Sequence, residues 1–247
     1  MSDRAPSYHD LAGWYDALYD ARGKDYDREA RVLLELAAAH GVEVERLLDV
    51  ACGTGRHLAS FAGHLDELAG TDDSAEMLTI AAARLGSEVA LHEADLRSFD
   101  LGRTFDLVTC LLSSIGHVED GQELDAAVAA MAAHVAPGGM LMIEPWLTPE
   151  QIRDDGVRDL VTAEQDDGVI ARVASSRREG DVVALSFAWA VATPGGVATL
   201  EEHLRMPLFT PERYVAAVEG AGLVGQWLEE VEGLAAGRGL LIGRRTR

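Results

Sequence analysis

Cysteine is scarce: the chain of 247 residues holds only Cys52 and Cys110. Two thiols make no disulfide framework, so a reducing cytoplasm is the expected compartment. Basic residues are also few, 21 against 42 acidic, which leaves a formal charge of −21. Such a surface repels nucleic acid and anionic membranes, and neither is expected as a partner. A phosphorylated ligand would need locally clustered arginines. No apolar run reaches the roughly 20 residues of a membrane-spanning helix. Residues 1–7 lack the basic and apolar regions of a signal peptide. His57 and His64 share a helix face but have no third ligand at zinc spacing, so no metal is expected. What the chain does have is apolar side chain, 48% of residues. That is enough for one large α/β domain over 1–247, with room for a small inserted unit.

The stretch that organises the chain is R-L-L-D-V-A-C-G-T-G-R-H, Arg46 to His57. Leu47, Leu48 and Val50 read as a short buried parallel strand, and Leu58 to Phe61 as a helix. Strand, glycine turn and helix start let backbone approach a ligand closely. The next strand ends at Asp72, followed by Asp73, and an acid about 20 residues past the glycines is where a ribose diol is read. A dinucleotide fingerprint needs a third glycine where Leu58 stands. Asp49 would repel a pyrophosphate but attract an ammonium or sulfonium, so the expected ligand is a nucleoside with a cationic end. Cys52, inside the turn, reads as a small filler rather than a nucleophile.

Along the chain, residues 8–26 concentrate aromatic side chains in a protein with only 6% of them. Leu11, Trp14, Tyr15, Leu18 and Tyr19 have helical spacing, which predicts a helix that packs on the core, covers the cofactor, or both. Asp27 is expected to cap the next helix, and Ser74 the one running through Met77 to Leu85. Val89 to His92, Phe105 to Cys110 and Met140 to Glu144 read as further strands, with a helix through Leu124 and Val135 stopped by Pro137-Gly138-Gly139. Strands alternating with helices predict a parallel sheet with right-handed crossovers. The pattern changes after the fifth strand. Val169 to Val173 and Val182 to Val191 read as hairpin strands of a small antiparallel insert, assigned to 150–208. The core pattern returns with Thr210 and Pro211 opening a helix, then strands at Leu223 to Val231 and Gly239 to Ile242.

The carboxyl ends of such strands face the ligand crevice. His117, in the loop after the fourth strand, is therefore placed to orient or deprotonate an acceptor, a surface-loop histidine being the alternative. Ser113 and Ser114 lack a nucleophile-elbow context, which argues against acyl-enzyme chemistry. Arg172, Arg177, Arg178 and Arg238 are candidates for phosphate or carboxylate recognition, each weighed against an ordinary solvated charge.

D-V-A-C-G-T-G followed by G-T-D-D-S-A-E-M-L resembles the class I S-adenosylmethionine (SAM) methyltransferases. W-Y-D-A-L-Y-D-A-R-G-K-D-Y, S-S-I-G-H, A-P-G-G…E-P-W, A-R-V-A-S-S-R-R-E-G and A-G-R-G-L narrow the resemblance to bacterial N,N-dimethyltransferases of dTDP-linked amino sugars. The resemblance implies a Rossmann-like fold with a seven-stranded, mostly parallel sheet, an N-terminal helical lid over 1–26 and a substrate-side insert. It implies SAM as cofactor, released as S-adenosylhomocysteine, and mono- or dimethylation of an amino-deoxyhexose in antibiotic sugar biosynthesis. On the SAM side it places Tyr15, Arg22, Asp49, Ala51, Gly53, Gly55, Asp72, Asp73, Met77, Asp95, Leu96 and Leu111. Tyr19 and His117 fall on the acceptor side, and Ser114, Trp146, Arg172, Arg178 and Arg238 on the sugar nucleotide. Two departures stand out: Ser175 where the insert motif carries a histidine, and Leu147 where a second aromatic follows Trp146. Two other readings fit the same motifs, methylation of another small molecule at oxygen or carbon, and SAM binding without turnover. A homodimer is compatible with the sequence.

Overall fold

The computed structural model describes residues 11–152, 156–234 and 237–247. The first ten residues assigned to the lid lie outside them. Helices α1 (Ala12–Ala21) and α2 (Tyr26–Ala39) precede strand β1 (Arg46–Val50), α3 (Arg56–Phe61), β2 (Glu67–Asp72), α4 (Ala75–Leu85), β3 (Ala90–Glu93) and β4 (Phe105–Cys110). Then come α5 (Gly121–Ala133) and β5 (Val135–Ile143), an excursion of four strands, β6 (Arg158–Gln165), β7 (Gly168–Glu179), β8 (Val182–Thr193) and β9 (Gly196–Pro207), and finally α6 (Pro211–Gly220), β10 (Val224–Leu228) and β11 (Leu240–Arg244).

The main sheet has seven strands in the order β10-β11-β5-β4-β1-β2-β3. β1 through β5 pair in parallel, while β11 runs antiparallel to both β5 and β10. The winding reverses between β1 and β4, so the crevice at their carboxyl ends is the natural ligand position. Both faces are covered. Leu48, Val50, Val108 and Ile143 pack on α5 and α6 through Leu124, Val128, Tyr214 and Val218. Leu47, Leu107 and Met142 pack on α2 and α3 through Leu33, Leu58 and Phe61. Burial on both faces is why these strands read as unbroken apolar runs, and each large side chain contributes about 1.5–3 kcal/mol.

Several local expectations hold, and others shift. Ser74 and Thr210 cap α4 and α6 through their side-chain oxygens. The α2 cap is Asp25, whose carboxylate accepts from Arg28 N–H at 3.0 Å; Asp27 lies inside the first turn. Val135 opens β5 instead of closing α5, and Pro137-Gly138-Gly139 form an irregular stretch of that strand, tied to the carboxyl terminus by Gly138 N–H to Arg245 O at 3.1 Å. The insert is a four-stranded antiparallel sheet in the order β6-β7-β8-β9. Its outer strands escape a pattern search because only one face is buried: Val161 and Ala163 are covered, while Leu160 and Thr162, which alternate with them, are exposed.

The insert packs in two places. Val161, Ile170, Trp189 and Val191 meet Leu11 and Leu18 around α1, and Val183, Leu185 and Met206 meet Ile152, with Trp146 packed against them. It therefore hangs over the carboxyl edge of the main sheet, leaving a cavity beneath. No helix of the described residues is long and apolar enough to cross a membrane.

Candidate active site

The floor of the site is the loop leaving β1. Asp49 is buried and accepts a hydrogen bond from Thr109 Oγ1 at 2.7 Å. Burial pushes its pKa up to about 6, with Asp72 adding to the rise and His57 and the Thr109 hydrogen bond opposing it. Ala51 follows in the left-handed region with φ 57°. Gly53, at φ 55°, has nothing near the position of a Cβ and opens on the crevice. Gly55 answers to a different demand: a Cβ there would lie 2.9 Å from Leu85 and 3.1 Å from Ala81, so it is required for α3 to pack on α4. Cys52 is a packing atom, its sulfur close against Gly70 of β2 where no Cβ could fit.

The carboxylate of Asp72 draws this loop to β2, accepting from Gly53 N–H at 2.7 Å and Ser74 N–H at 3.0 Å. Met77 is buried behind it, and Asp73 is exposed beside it. The loop after β3 adjoins through Ala94 N–H to Asp72 O at 2.9 Å. There Asp95 is gripped by Arg97, whose guanidinium donates to it at 2.6–3.1 Å, and Leu96 packs on the core.

Helix α1 is clamped onto the glycine loop. Thr54 Oγ1 donates to Asp16 at 2.6 Å, Arg84 bridges Asp16 and the Thr54 carbonyl, and Arg56 pairs with Asp20. The clamp brings Tyr15 and Tyr19 to the crevice, where their hydroxyls hydrogen bond at 3.2 Å.

The fourth strand ends in strained backbone. Leu112 and Ser113 have φ of 53° and 64°, each costing roughly 1–3 kcal/mol that surrounding contacts must offset. Glu144 accepts from Leu112 N–H at 2.9 Å, and Ser113 Oγ donates to Pro145 O at 3.0 Å. The single 3-10 turn that follows carries Ser114 and His117. His117 is exposed at the rim of the larger concavity, with protein crowded around it. That surrounding burial lowers its pKa below the usual imidazole value, with Asp73 and Asp72 pulling the other way.

Two connected spaces result. A small one of about 40 Å³ is lined by Asp49, Ala51, Gly53, His57 and Leu111. A larger one of about 330 Å³ lies between the sheet edge, α1 and the insert, and Tyr15, Leu112 and Ser114 line both. Of the residues singled out in the sequence, the larger cavity gathers Tyr19, Arg22, His117, Trp146, Arg172 and Arg238. Arg238 donates to Ser113 Oγ, lies 3.7 Å from Glu144 Oε1 and sits over the Trp146 ring at 5.7 Å. Arg172 stacks on Phe187 and Trp189 at 5.3 and 5.5 Å.

Two residues sit apart from the groups expected for them. Arg22 lines the larger cavity and is paired with Asp159, which also lies 3.6 Å from Arg172. Arg178 is off the cavity wall, because the Pro149 and Gly180 carbonyls accept from its guanidinium at 2.8 and 2.9 Å. Asp159, Phe187, Trp189 and Glu202 are lining residues that were not anticipated. Asp159, Ala174, Phe187 and Glu202 form one cross-strand row of the insert. The alternation of Leu185, Phe187, Trp189 and Val191 was the available signal for that inward face.

A methyltransferase domain family matches residues 47–139, the strand-turn-helix half of the main sheet. Over 235 residues the chain is 42% identical to dTDP-3-amino-3,6-dideoxy-alpha-D-glucopyranose N,N-dimethyltransferase of Streptomyces fradiae, covering 95% of this chain and 90% of that one. It is 41% identical to dTDP-3-amino-3,4,6-trideoxy-alpha-D-glucopyranose N,N-dimethyltransferase of Streptomyces venezuelae, covering 95% and 97%. The chain belongs to the amino-sugar N,N-dimethyltransferase family of class I SAM-dependent methyltransferases. The SAM-bound structure of CalS10, an amino pentose methyltransferase from Micromonospora echinaspora, superposes with a TM-score of 0.81 over all of both chains at 38% identity. In this methyltransferase the insert and α1 are thus part of the shared architecture.

The residues fit the SAM that this family uses. A buried carboxylate at Asp49, under a glycine that leaves room for backbone approach, suits a cationic end and would repel a pyrophosphate.

Proposed function

We propose that this enzyme transfers methyl groups from SAM to the amino group of a deoxyhexose carried on thymidine diphosphate, giving the mono- and then the dimethylamine. The observation that supports it is the junction of the two spaces at Tyr15, Leu112 and Ser114. The cationic end of SAM belongs in the smaller one, beside Asp49 and Gly53, with its nucleoside running on outside that space toward Asp72 and Asp95. An acceptor larger than a simple amine belongs in the cavity of about 330 Å³.

Asp49, Ala51, Gly53, Asp72, Asp73, Met77, Asp95, Leu96, Leu111 and Tyr15 hold the cofactor in this reading, Asp49 meeting its ammonium and Asp72 its ribose. SAM supplies a methyl group already activated by its sulfonium, so the protein's task is alignment and proton removal. An ammonium has no lone pair and must lose a proton before it attacks. His117 is kept neutral at physiological pH by its surroundings and can accept that proton or hold the amine. Tyr19 shares the acceptor side, and the apolar walls lower the amine's own pKa by desolvation. Arg238, held by Ser113 and Trp146, receives the diphosphate in an otherwise acidic chain. Arg172 and Arg22 with Asp159 contact the remainder of the sugar nucleotide.

The test is a timed incubation with SAM and a dTDP-linked 3-amino or 4-amino deoxyhexose, followed by mass spectrometry. Successive gain of one and two methyl groups on nitrogen is the expected result. Methylation confined to hydroxyl oxygen or carbon acceptors, or no turnover of SAM with any amino sugar, refutes the reading.

A further inference from the structure

Two motifs of the sequence, S-S-I-G-H and E-P-W, interlock beside the site, and their contacts converge on Arg238. Leu112 and Ser113, at φ 53° and 64°, are adjacent side-chain-bearing residues in the region that suits glycine. Glu144 holds the first of them by accepting from Leu112 N–H at 2.9 Å. The buried Ser113 hydroxyl donates its one proton to Pro145 O at 3.0 Å, so toward Arg238 Nη1 it can only accept. Gly116 lets the turn close on the same segment: a Cβ there would collide with Met206 and with Trp146 Cβ, the latter at 2.9 Å. The Trp146 ring in turn lies under the Arg238 guanidinium. That guanidinium makes no other hydrogen bond among the described residues, which leaves Nε and Nη2 for a ligand in the larger cavity that it lines.

Glycine would hold this turn without strain, whereas each side chain in it costs roughly 1–3 kcal/mol. What the strain places is the Ser113 hydroxyl. The same turn carries Leu112 and leads directly into Ser114 and His117, and Leu112 and Ser114 stand at the junction of the two spaces. A single hydrogen bond thus ties the guanidinium to the backbone beside which the methyl group is transferred.

We propose that Ser113 is a positioning residue that sets specificity: its hydroxyl fixes Arg238 at a set distance from the methyl-transfer junction, and so selects which ring carbon of the sugar carries the reacting amine. The proposal rests on the reading of Arg238 as the diphosphate contact. The diphosphate is joined to the first carbon of the sugar, and an amine across the ring lies further from it than an amine one carbon nearer. With the guanidinium fixed, one of those amines meets the methyl group in line and the other does not. Misplacement by about 1 Å costs about 10²-fold in rate.

The experiment measures kcat and KM of the intact enzyme with SAM and two dTDP-linked deoxyhexoses, one 3-amino and one 4-amino. Wild type should favour one of them by about tenfold or more in kcat/KM. Ser113→Gly keeps the turn, which glycine adopts freely, and removes the hydroxyl. It should lower kcat/KM for the favoured sugar about tenfold, the scale of one hydrogen bond to a charged group. It should also shrink the preference between the two sugars and leave KM for SAM near wild type. Ser113→Ala lacks the same hydroxyl but retains the strain, so it should match Ser113→Gly kinetically while differing in Tm. With Arg238→Ala already in place, Ser113→Gly should have little further effect, because members of one network are not additive. An unchanged sugar preference in Ser113→Gly, or equal losses for SAM and the sugar, overturns the proposal. So does the same loss with Arg238 already removed, since a hydroxyl that only braced the turn would act without the arginine. A wild type that takes both sugars equally overturns it too. If Arg238→Ala alone has no selective effect on the sugar nucleotide, the reading of Arg238 falls and the proposal with it.

Discussion

Asp72 is asked to do two things, and the structure lets them be separated. Its carboxylate accepts Gly53 N–H at 2.7 Å and Ser74 N–H at 3.0 Å while almost wholly buried. Hydrogen bonds to a charged acceptor are worth about 1.5–3 kcal/mol each. In Asp72→Asn one oxygen can still accept, but the amide nitrogen must face a backbone N–H. The folded state should therefore lose about 2–3 kcal/mol, the scale of one charge-assisted bond. For a chain of this size that lowers Tm by roughly 5–10 °C. If the same carboxylate also reads the ribose diol, SAM affinity should fall about 10- to 100-fold. Scanning calorimetry with and without SAM measures both, since a ligand's stabilisation depends on its concentration relative to Kd. The expected result is a lower Tm for the apoprotein and a smaller increment on adding SAM. A lower Tm with an undiminished SAM increment refutes the ribose contact and leaves the loop clamp standing. An unchanged Tm refutes the clamp.

Arg238→Ala should raise KM for the sugar nucleotide tenfold or more while leaving KM for SAM near wild type, about the scale of one lost charged hydrogen bond; equal effects on both substrates would make the arginine a fold element. Arg178→Ala, whose guanidinium serves two backbone carbonyls, should change Tm and leave KM for the sugar nucleotide alone, and a selective rise in that KM would reinstate it as a substrate contact. His117→Asn should lower kcat at neutral pH by about 10²-fold if His117 is the base, with recovery as pH passes the amine's own pKa and accumulation of monomethyl product in a mass-spectrometric time course. Its lowered pKa places the wild-type loss of activity on the acid side, as the ring protonates on falling pH. A variant with wild-type rate and no monomethyl intermediate would leave the acceptor assignment to Tyr19.

Much of this protein is determined within short stretches of chain. β1, the glycine turn and α3 are contiguous, and their signals are local: an apolar run, residues at positive φ, and a helix start. Ser74 and Thr210 announce their helices because a cap acts over three residues. The acid at Asp72 and the loop at His117 were legible because parallel sheets put ligands at strand carboxyl ends. The sugar side obeyed no such rule. Arg172 and Arg178 lie on the same face of β7, yet one stacks inside the cavity and the other spends its donors on backbone carbonyls. Arg22 meets Asp159 across 137 positions of sequence, and His57 meets Glu29 across 28. Spacing along the chain carries no record of such pairings, because they are set when the insert folds over the sheet edge and α1 closes against both. The sequence by itself determined the architecture and the cofactor chemistry, through local propensity and a contiguous motif. Only the tertiary structure decided which charges meet in the cavity, since a charge's partner depends on how separate layers pack.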